Sequence, residues 1–143
     1  MKNIIWIFVF GVLVSCNSNK DKDTDTKSEG YDMYEPSEMS MLMNEMYDYN
    51  LEIKKQIIEG EIPTAFPLDF LKIHSAELSD FKQRNSTFES FSKVFIEAEK
   101  EVFNAESTVN IEDRFNNAVG ICISCHQTEC TGPIPRIKKL LIK

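Results

Sequence analysis

Two cysteines and a histidine near the C-terminus carry the clearest chemistry in this sequence. Cys122, Cys125 and His126 stand in the run Cys-Ile-Ser-Cys-His, and C-x-x-C-H is the attachment signal of a c-type haem. Two thiols one helical turn apart can form thioethers with the two vinyl-derived positions of a porphyrin. The imidazole of the next residue can then bind the iron from the same side. The run therefore predicts one covalent haem c held by these three residues.

Two other interpretations of the same run stay open. Cys122 and Cys125 could form a redox-active pair, although such pairs typically stand near a βαβ unit. A small interaction module stabilised by a tetrahedral zinc ion is the second alternative. Its ligands would be Cys122, Cys125, His126 and Cys130. Adjacent side chains diverge by about 100° on a helix, so Cys125 and His126 could share one zinc ion only if the helix broke.

The start of the sequence has the pattern of an export signal. A lysine at position 2 precedes the apolar run 4–14, which is too short to cross a hydrocarbon core of roughly 30 Å. Residues 13–16, Leu-Val-Ser-Cys, resemble the lipobox of bacterial lipoproteins, and this resemblance implies acylation of Cys16. We predict a signal peptide over 1–15 and a lipid anchor in a bacterial membrane, with the domain on the periplasmic or outer-surface side. An ordinary secretory peptide with a chance cysteine is the alternative.

The segment after the candidate lipidation site is polar. From Asn17 to Gly30 it contains no Val, Ile, Leu, Met or Phe, so it cannot bury enough apolar surface to offset the entropy of ordering the chain. We predict a flexible tether over 16–34 and one folded domain over 35–143 that ends in a basic tail. The basic residues of this tail are Arg136, Lys138, Lys139 and Lys143. They could dock an acidic partner, neutralise haem propionates or simply be solvated.

Charge and motifs restrict the class of function. The sequence has 23 acidic and 16 basic residues and a formal net charge of -7 at pH 7, a balance that repels phosphate backbones. Nucleic-acid binding is therefore not expected. No Ser-His-Asp set, pair of catalytic carboxylates or phosphate-binding loop stands out in the sequence, which favours a carrier over an enzyme.

Hydrophobic spacing predicts an all-α domain. Apolar residues recur at intervals of three and four. Gly60 and Pro63 end the first segment, and Gly132 and Pro133 follow the last. The predicted helices cover about residues 36–59, 67–79, 86–105 and 110–130. The second would carry Phe70, Ile73, His74 and Leu78 on its apolar side. Ser86 and Glu89 would form a capping box at the third helix, and Asn110 would cap the fourth. Short connections favour antiparallel neighbours, so we expect a four-helix bundle.

The order of these elements gives a family resemblance. A helical chain with a single C-x-x-C-H run near its C-terminus resembles the cytochrome c-prime family and its low-spin relatives. The resemblance covers roughly residues 35–142, although the tail from Cys130 to Leu140 departs from the family pattern. It implies an up-down four-helix bundle with the covalent haem near the C-terminal end of the last helix. It also implies either electron transfer or binding of small gases such as NO and CO to five-coordinate iron.

The sixth iron ligand separates these two functions. In an up-down bundle, the start of the first helix lies beside the end of the fourth, and this start carries Met39, Met41, Met43 and Met46. A Met thioether on the iron raises the reduction potential. Met43 is the candidate because it lies on the apolar seam about 10 Å from the helix start, whereas Met41 is turned away. Met46, Met39, His74 or an open position are the alternatives, and methionines at this spacing can also simply fill a core.

The sequence thus predicts a membrane-tethered monohaem c-type cytochrome that passes electrons between redox partner proteins. Gas binding on the same bundle is the alternative. Asn50 on the first seam could contact a haem propionate or the backbone, or lie exposed at the bundle edge. Cys130 has no evident partner, so it could stay free or join two copies in a dimer.

Overall fold

The computed structural model describes residues 35–143, and these residues are all-α. The long elements are α1 (Glu38–Ile58), α2 (Ser86–Val102) and α3 (Ile111–Glu129), with a 3-10 helix (Leu68–His74) between α1 and α2. A short helix, α4 (Ile134–Ile137), and a 3-10 turn (Lys138–Leu140) follow α3. None of the helices in this part of the chain is long and apolar enough to span a membrane. The predicted signal peptide, tether and lipidated Cys16 lie outside the described residues.

The second predicted helix differs from the expectation. The chain forms a seven-residue 3-10 helix there, and Pro67 precedes it without a side-chain cap. A 3-10 helix repeats every three residues, and burial follows that period. Phe70 and Ile73 are buried, while Leu68 and His74 are exposed. The predicted place of His74 on the apolar side is therefore wrong, because it assumed an α-helical period.

Side chains cap all three long helices. Ser37 and Asn110 each accept a hydrogen bond from an amide of the first turn, at 3.2 Å and 2.7 Å, and the Asn110 cap was predicted. The cap of α2 is Asn85, whose Oδ1 accepts from the amide of Phe88 at 2.7 Å. The predicted capping box begins one residue too late. Ser86 is already the first helical residue, because Asn85 has the extended backbone that a cap requires.

The long helices pack antiparallel to their neighbours. At one end of the α2–α3 pair, Arg114 donates to the carbonyl oxygen of Glu101 at 2.6 Å. At the other end, Asn85 donates to the carboxylate of Glu129 at 3.3 Å. The C-terminal half of α1 packs against the N-terminal half of α3, so α1 also runs opposite to α3.

Two hydrophobic clusters make up the core. The packed cluster contains Ile53, Ile57, Val102, Phe115, Ala118, Val119, Ile137 and Leu140. The cavity cluster contains Met39, Leu42, Met46, Phe70, Ile73, Ala76, Phe88, Phe95 and Ile96. Cys122 of α3 packs against both clusters, so the C-x-x-C-H run begins where the two clusters meet.

The C-terminal segment, residues 131–143, folds back onto α1 and α3. Asn116 exchanges two hydrogen bonds with the backbone near its end, at 3.0 and 2.8 Å. Lys54 Nζ donates to two of its carbonyl oxygens, at 2.9 and 2.8 Å. Ile137 and Leu140 are buried. The predicted basic tail is therefore a packed part of the domain.

Candidate functional site

A cavity between α1, α2, α3 and the C-terminal segment collects most of the predicted site residues. Its volume is about 170 Å³, which is below the roughly 300–1,000 Å³ of pockets that enclose a whole drug-sized ligand, and the cavity opens to solvent. The cavity is lined by Ser40, Met43, Asn44, Met46, Tyr47, Asn50, Ile73, Phe91, Ser92, Phe95, Ile121, Cys122, Cys125, His126, Pro133, Arg136, Ile137 and Leu140. Most of these side chains are apolar, so the wall suits an apolar ligand.

The structure brings the C-x-x-C-H run and the methionines of α1 to the same wall. The predicted residues that line the cavity are Cys122, Cys125, His126 and Met43. Met46 also lines it. Met39 is buried in the cavity cluster without lining the cavity, and Met41 is exposed. Of the four methionines at the start of α1, two can therefore present a thioether to a ligand in the cavity.

A backbone hydrogen bond sets the tautomer of His126. Its Nδ1 lies 2.8 Å from the carbonyl oxygen of Cys130. A carbonyl oxygen only accepts, so Nδ1 carries the proton and donates. In a neutral imidazole the lone pair on Nε2 is then free to bind a metal, and ligating histidines are commonly oriented by such a bond. Cys130 thus acts through its backbone, a role that its side chain does not reveal.

Burial keeps both thiols of the run protonated at neutral pH. Desolvation, with a smaller contribution from Glu99, raises the pKa of Cys122 far above its usual range. Desolvation, assisted by Glu129, raises the pKa of Cys125 to about 11. Redox-active cysteines need a lowered pKa because the thiolate is the nucleophile, so the shifts oppose the redox-pair alternative. Within residues 35–143, no group of three His, Cys, Asp or Glu side chains is arranged to hold a metal ion.

Glu99 is a buried acid beside the cavity that the sequence analysis missed. Its side chain is 0% exposed, and neither carboxyl oxygen has a hydrogen-bond partner among the described residues. Desolvation raises the pKa of Glu99 to about 8. The Asn50 amide is close enough to offset this in part, although it donates to Met46 and makes no well-formed hydrogen bond to the carboxyl. The carboxyl is therefore uncharged at pH 7. The burial of Glu99 could have been predicted from its spacing, because positions 88, 92, 95, 99 and 102 lie on one face of α2 and are all buried.

Two buried polar side chains, Asn50 and Ser92, belong to the cavity wall. Asn50 donates to the carbonyl oxygen of Met46 at 3.0 Å, and its Oδ1 has no partner. This is the backbone contact considered for Asn50 from the sequence. Ser92 donates to the carbonyl oxygen of Glu89 at 3.0 Å and lies 3.3 Å from Nδ1 of His74. His74 does not line the cavity, so its imidazole does not face a ligand bound there.

The donor set at the cavity fits a c-type haem. Two thiols and an imidazole with a free Nε2 lie on one turn of α3, and a thioether sulfur reaches the same cavity from α1. His and Met are the axial ligands of six-coordinate cytochromes c. The mainly apolar lining would shield a bound porphyrin from water.

Comparison with known proteins gives no relative. The chain matches no protein-family model, no curated protein and no solved structure. The functional interpretation therefore rests on the motif and the geometry of the cavity.

Proposed function

We propose that this protein is a monohaem c-type cytochrome that carries electrons between redox partner proteins. The supporting observation is that the C-x-x-C-H run and Met43 line one apolar cavity from two different helices. Cys122 and Cys125 would hold one haem c through thioethers, and His126 would bind its iron through Nε2. The bound haem would supply one-electron chemistry.

The fold proposed for this cytochrome is an up-down bundle in which the 3-10 helix takes the place of a second α-helix. The antiparallel packing of α2 with α3 and of α1 with α3 supports this arrangement. The 3-10 helix packs against α1 and α2 through Phe70 and Ile73. Since Ile73 also lines the cavity, this short element would complete the wall around the cofactor.

Met43 is the proposed sixth ligand of the iron. It is half-buried at the cavity, so its sulfur can reach a ligand there without leaving a closed core. A thioether ligand favours the reduced iron and raises the potential, which suits an electron carrier. Met46 is the second choice because it also lines the cavity, although it is almost fully buried.

Carbon monoxide binding and spectroscopy test this ligand. In protein matured with haem, we expect low-spin iron, a weak near-infrared Met-to-iron charge-transfer band and slow CO binding to the reduced form. Met43→Ala should abolish the band, lower the potential and open the iron to CO. Met41→Ala is the matched control, because Met41 is exposed, and it should change none of these properties.

Other spectra would change the proposal. High-spin five-coordinate iron in the unaltered protein would favour the gas-binding alternative over electron transfer. A band that survives Met43→Ala and is lost in Met46→Ala would keep the carrier and move the ligand by one turn of α1.

We also propose that Cys16 anchors the protein to a bacterial membrane, with residues 16–34 as the tether of the domain. The support is the lipobox-like run of residues 13–16 after an apolar segment. Since a thiol at this position accepts the lipid, Cys16→Ala should abolish labelling of the protein by a fatty acid. Cys130→Ala, which removes an exposed thiol, should leave the labelling intact. Unchanged labelling of the Cys16→Ala protein would reject the anchor.

A further inference from the structure

Charge is distributed unevenly around the cavity. Arg136 is the sole Lys or Arg among the described lining residues. It is partly exposed and lies at the mouth, on the C-terminal segment. Behind the wall formed by Asn50 and Cys122 lies Glu99, which has no countercharge. A ligand with both an apolar body and carboxylate groups would therefore have its carboxylates at the mouth, since a buried anion beside Glu99 would be unpaired.

The guanidinium of Arg136 is held in place by three neighbours on α1. It stacks on the ring of Tyr47, with Cζ 3.8 Å from the ring centroid. Its Nη1 donates to Asn44 at 2.6 Å, and its Nη2 donates to Asp48 at 3.2 Å. These two bonds use two of the five N–H groups that a guanidinium carries, so donors remain for a further acceptor.

The backbone that carries Arg136 is also fixed. The hydrogen bonds of Asn116 and Lys54 to the C-terminal segment, together with the buried side chains of Ile137 and Leu140, hold this segment against α1 and α3. A cation fixed on both sides loses little conformational entropy when it binds an anion. A planar guanidinium also matches the geometry of a carboxylate.

We propose that Arg136 binds a propionate carboxylate of the haem at the mouth of the cavity. This inference rests on the proposed function, since it takes haem as the ligand of the cavity. It makes one residue of the C-terminal segment a part of the cofactor site, opposite the thiols of α3 that would hold the haem.

The test compares Arg136→Gln with Lys138→Gln in haem-loaded protein. Both variants remove one positive charge from α4 or the adjoining turn, but Lys138 does not line the cavity. The readouts are the propionate bending frequency in the resonance Raman spectrum and the reduction potential. Arg136→Gln should shift the propionate mode and lower the potential, because the carboxylate loses its cation. Lys138→Gln should leave the mode unchanged.

Arg136→Lys is a second, milder variant for the case in which Arg136→Gln does not fold. It keeps the positive charge but loses the planar guanidinium that can bind a carboxylate with two N–H groups. We expect it to restore most of the potential but not the propionate frequency. Haem-loaded protein whose propionate mode is the same in all variants would overturn the role of Arg136 and leave the cytochrome proposal standing. An unaltered protein without covalent haem would overturn both.

Discussion

The two hydrophobic clusters differ in packing: one is closed by the C-terminal segment, and the other borders a cavity. In the packed cluster, Val102 and Phe115 are completely buried, and the C-terminal segment covers them. In the cavity cluster, Met46, Ile73 and Phe95 border a cavity of about 170 Å³. Protein interiors are normally as densely packed as organic crystals. The packed cluster is closed, whereas the cavity cluster leaves space open, and we propose that a ligand fills this space.

Buried polar groups show the same contrast. Arg114 lies beside the packed cluster, and although its Nε has no partner, its Nη1 donates to the backbone oxygens of Glu101 and Asn104 at 2.6 and 2.8 Å. Glu99, beside the cavity, has no such partner. A buried group without a partner costs stability, so the half that borders the cavity gives up stability at the place where a cofactor would bind.

Phe115→Ala should produce the largest loss of stability. Its aromatic ring is fully buried in the packed cluster, and truncating such a ring leaves a cavity that costs about 3–5 kcal/mol. Urea denaturation followed by circular dichroism measures the free energy of unfolding.

Phe95→Ala is the matched variant in the cavity cluster. Because Phe95 already borders an open space, we expect a smaller loss in haem-free protein, about half that of Phe115→Ala. Haem attachment should increase the loss at Phe95 and leave the loss at Phe115 unchanged. Equal losses at both positions, with or without haem, would remove the distinction between the clusters.

Glu99→Gln should change the stability in the opposite direction, and its effect should depend on pH. The folded protein raises the pKa of Glu99 to about 8, above the usual value near 4.3 for the unfolded chain. At pH 4 the carboxyl is largely protonated in both states and ionisation adds almost no penalty to folding, but folding becomes less favourable as the pH rises to 8. Glutamine does not ionise, so the variant should gain stability relative to the unaltered protein as the pH rises from 4 to 8, with an upper limit of about 5 kcal/mol set by the pKa difference.

Thermal denaturation across this pH range measures the Glu99 effect, and Glu97→Gln is the control because Glu97 is exposed on the same helix. A stability difference that does not change with pH would mean that Glu99 is not an uncharged buried acid.

The sequence predicted the long helices well, because α1, α2 and α3 all carry apolar residues at intervals of three and four. The 3-10 helix could not be distinguished in this way. In a segment as short as Leu68–His74, both an α-helix and a 3-10 helix place Phe70 and Ile73 on the same side. The two helix types differ only in where they place His74.

The candidate site was predicted in its residue types but not in its surroundings. The C-x-x-C-H run and Met43 follow from spacing, whereas the bond from His126 to the carbonyl of Cys130 depends on the extended backbone after α3. Glu99 was missed because a charged residue is normally assigned to solvent. Arg136 was one of four basic residues in the predicted tail, and the sequence could not show that it alone among them lines the cavity.

Covalent attachment of haem tests the central proposal most directly. The full chain, expressed in cells that mature c-type cytochromes, is separated by denaturing electrophoresis and stained for haem peroxidase activity. We expect the polypeptide band to retain haem, Cys130→Ala to retain it as well, and the Cys122→Ala, Cys125→Ala double variant to lose it. An unaltered polypeptide that carries no haem after denaturation would contradict the proposal that this protein is a c-type cytochrome.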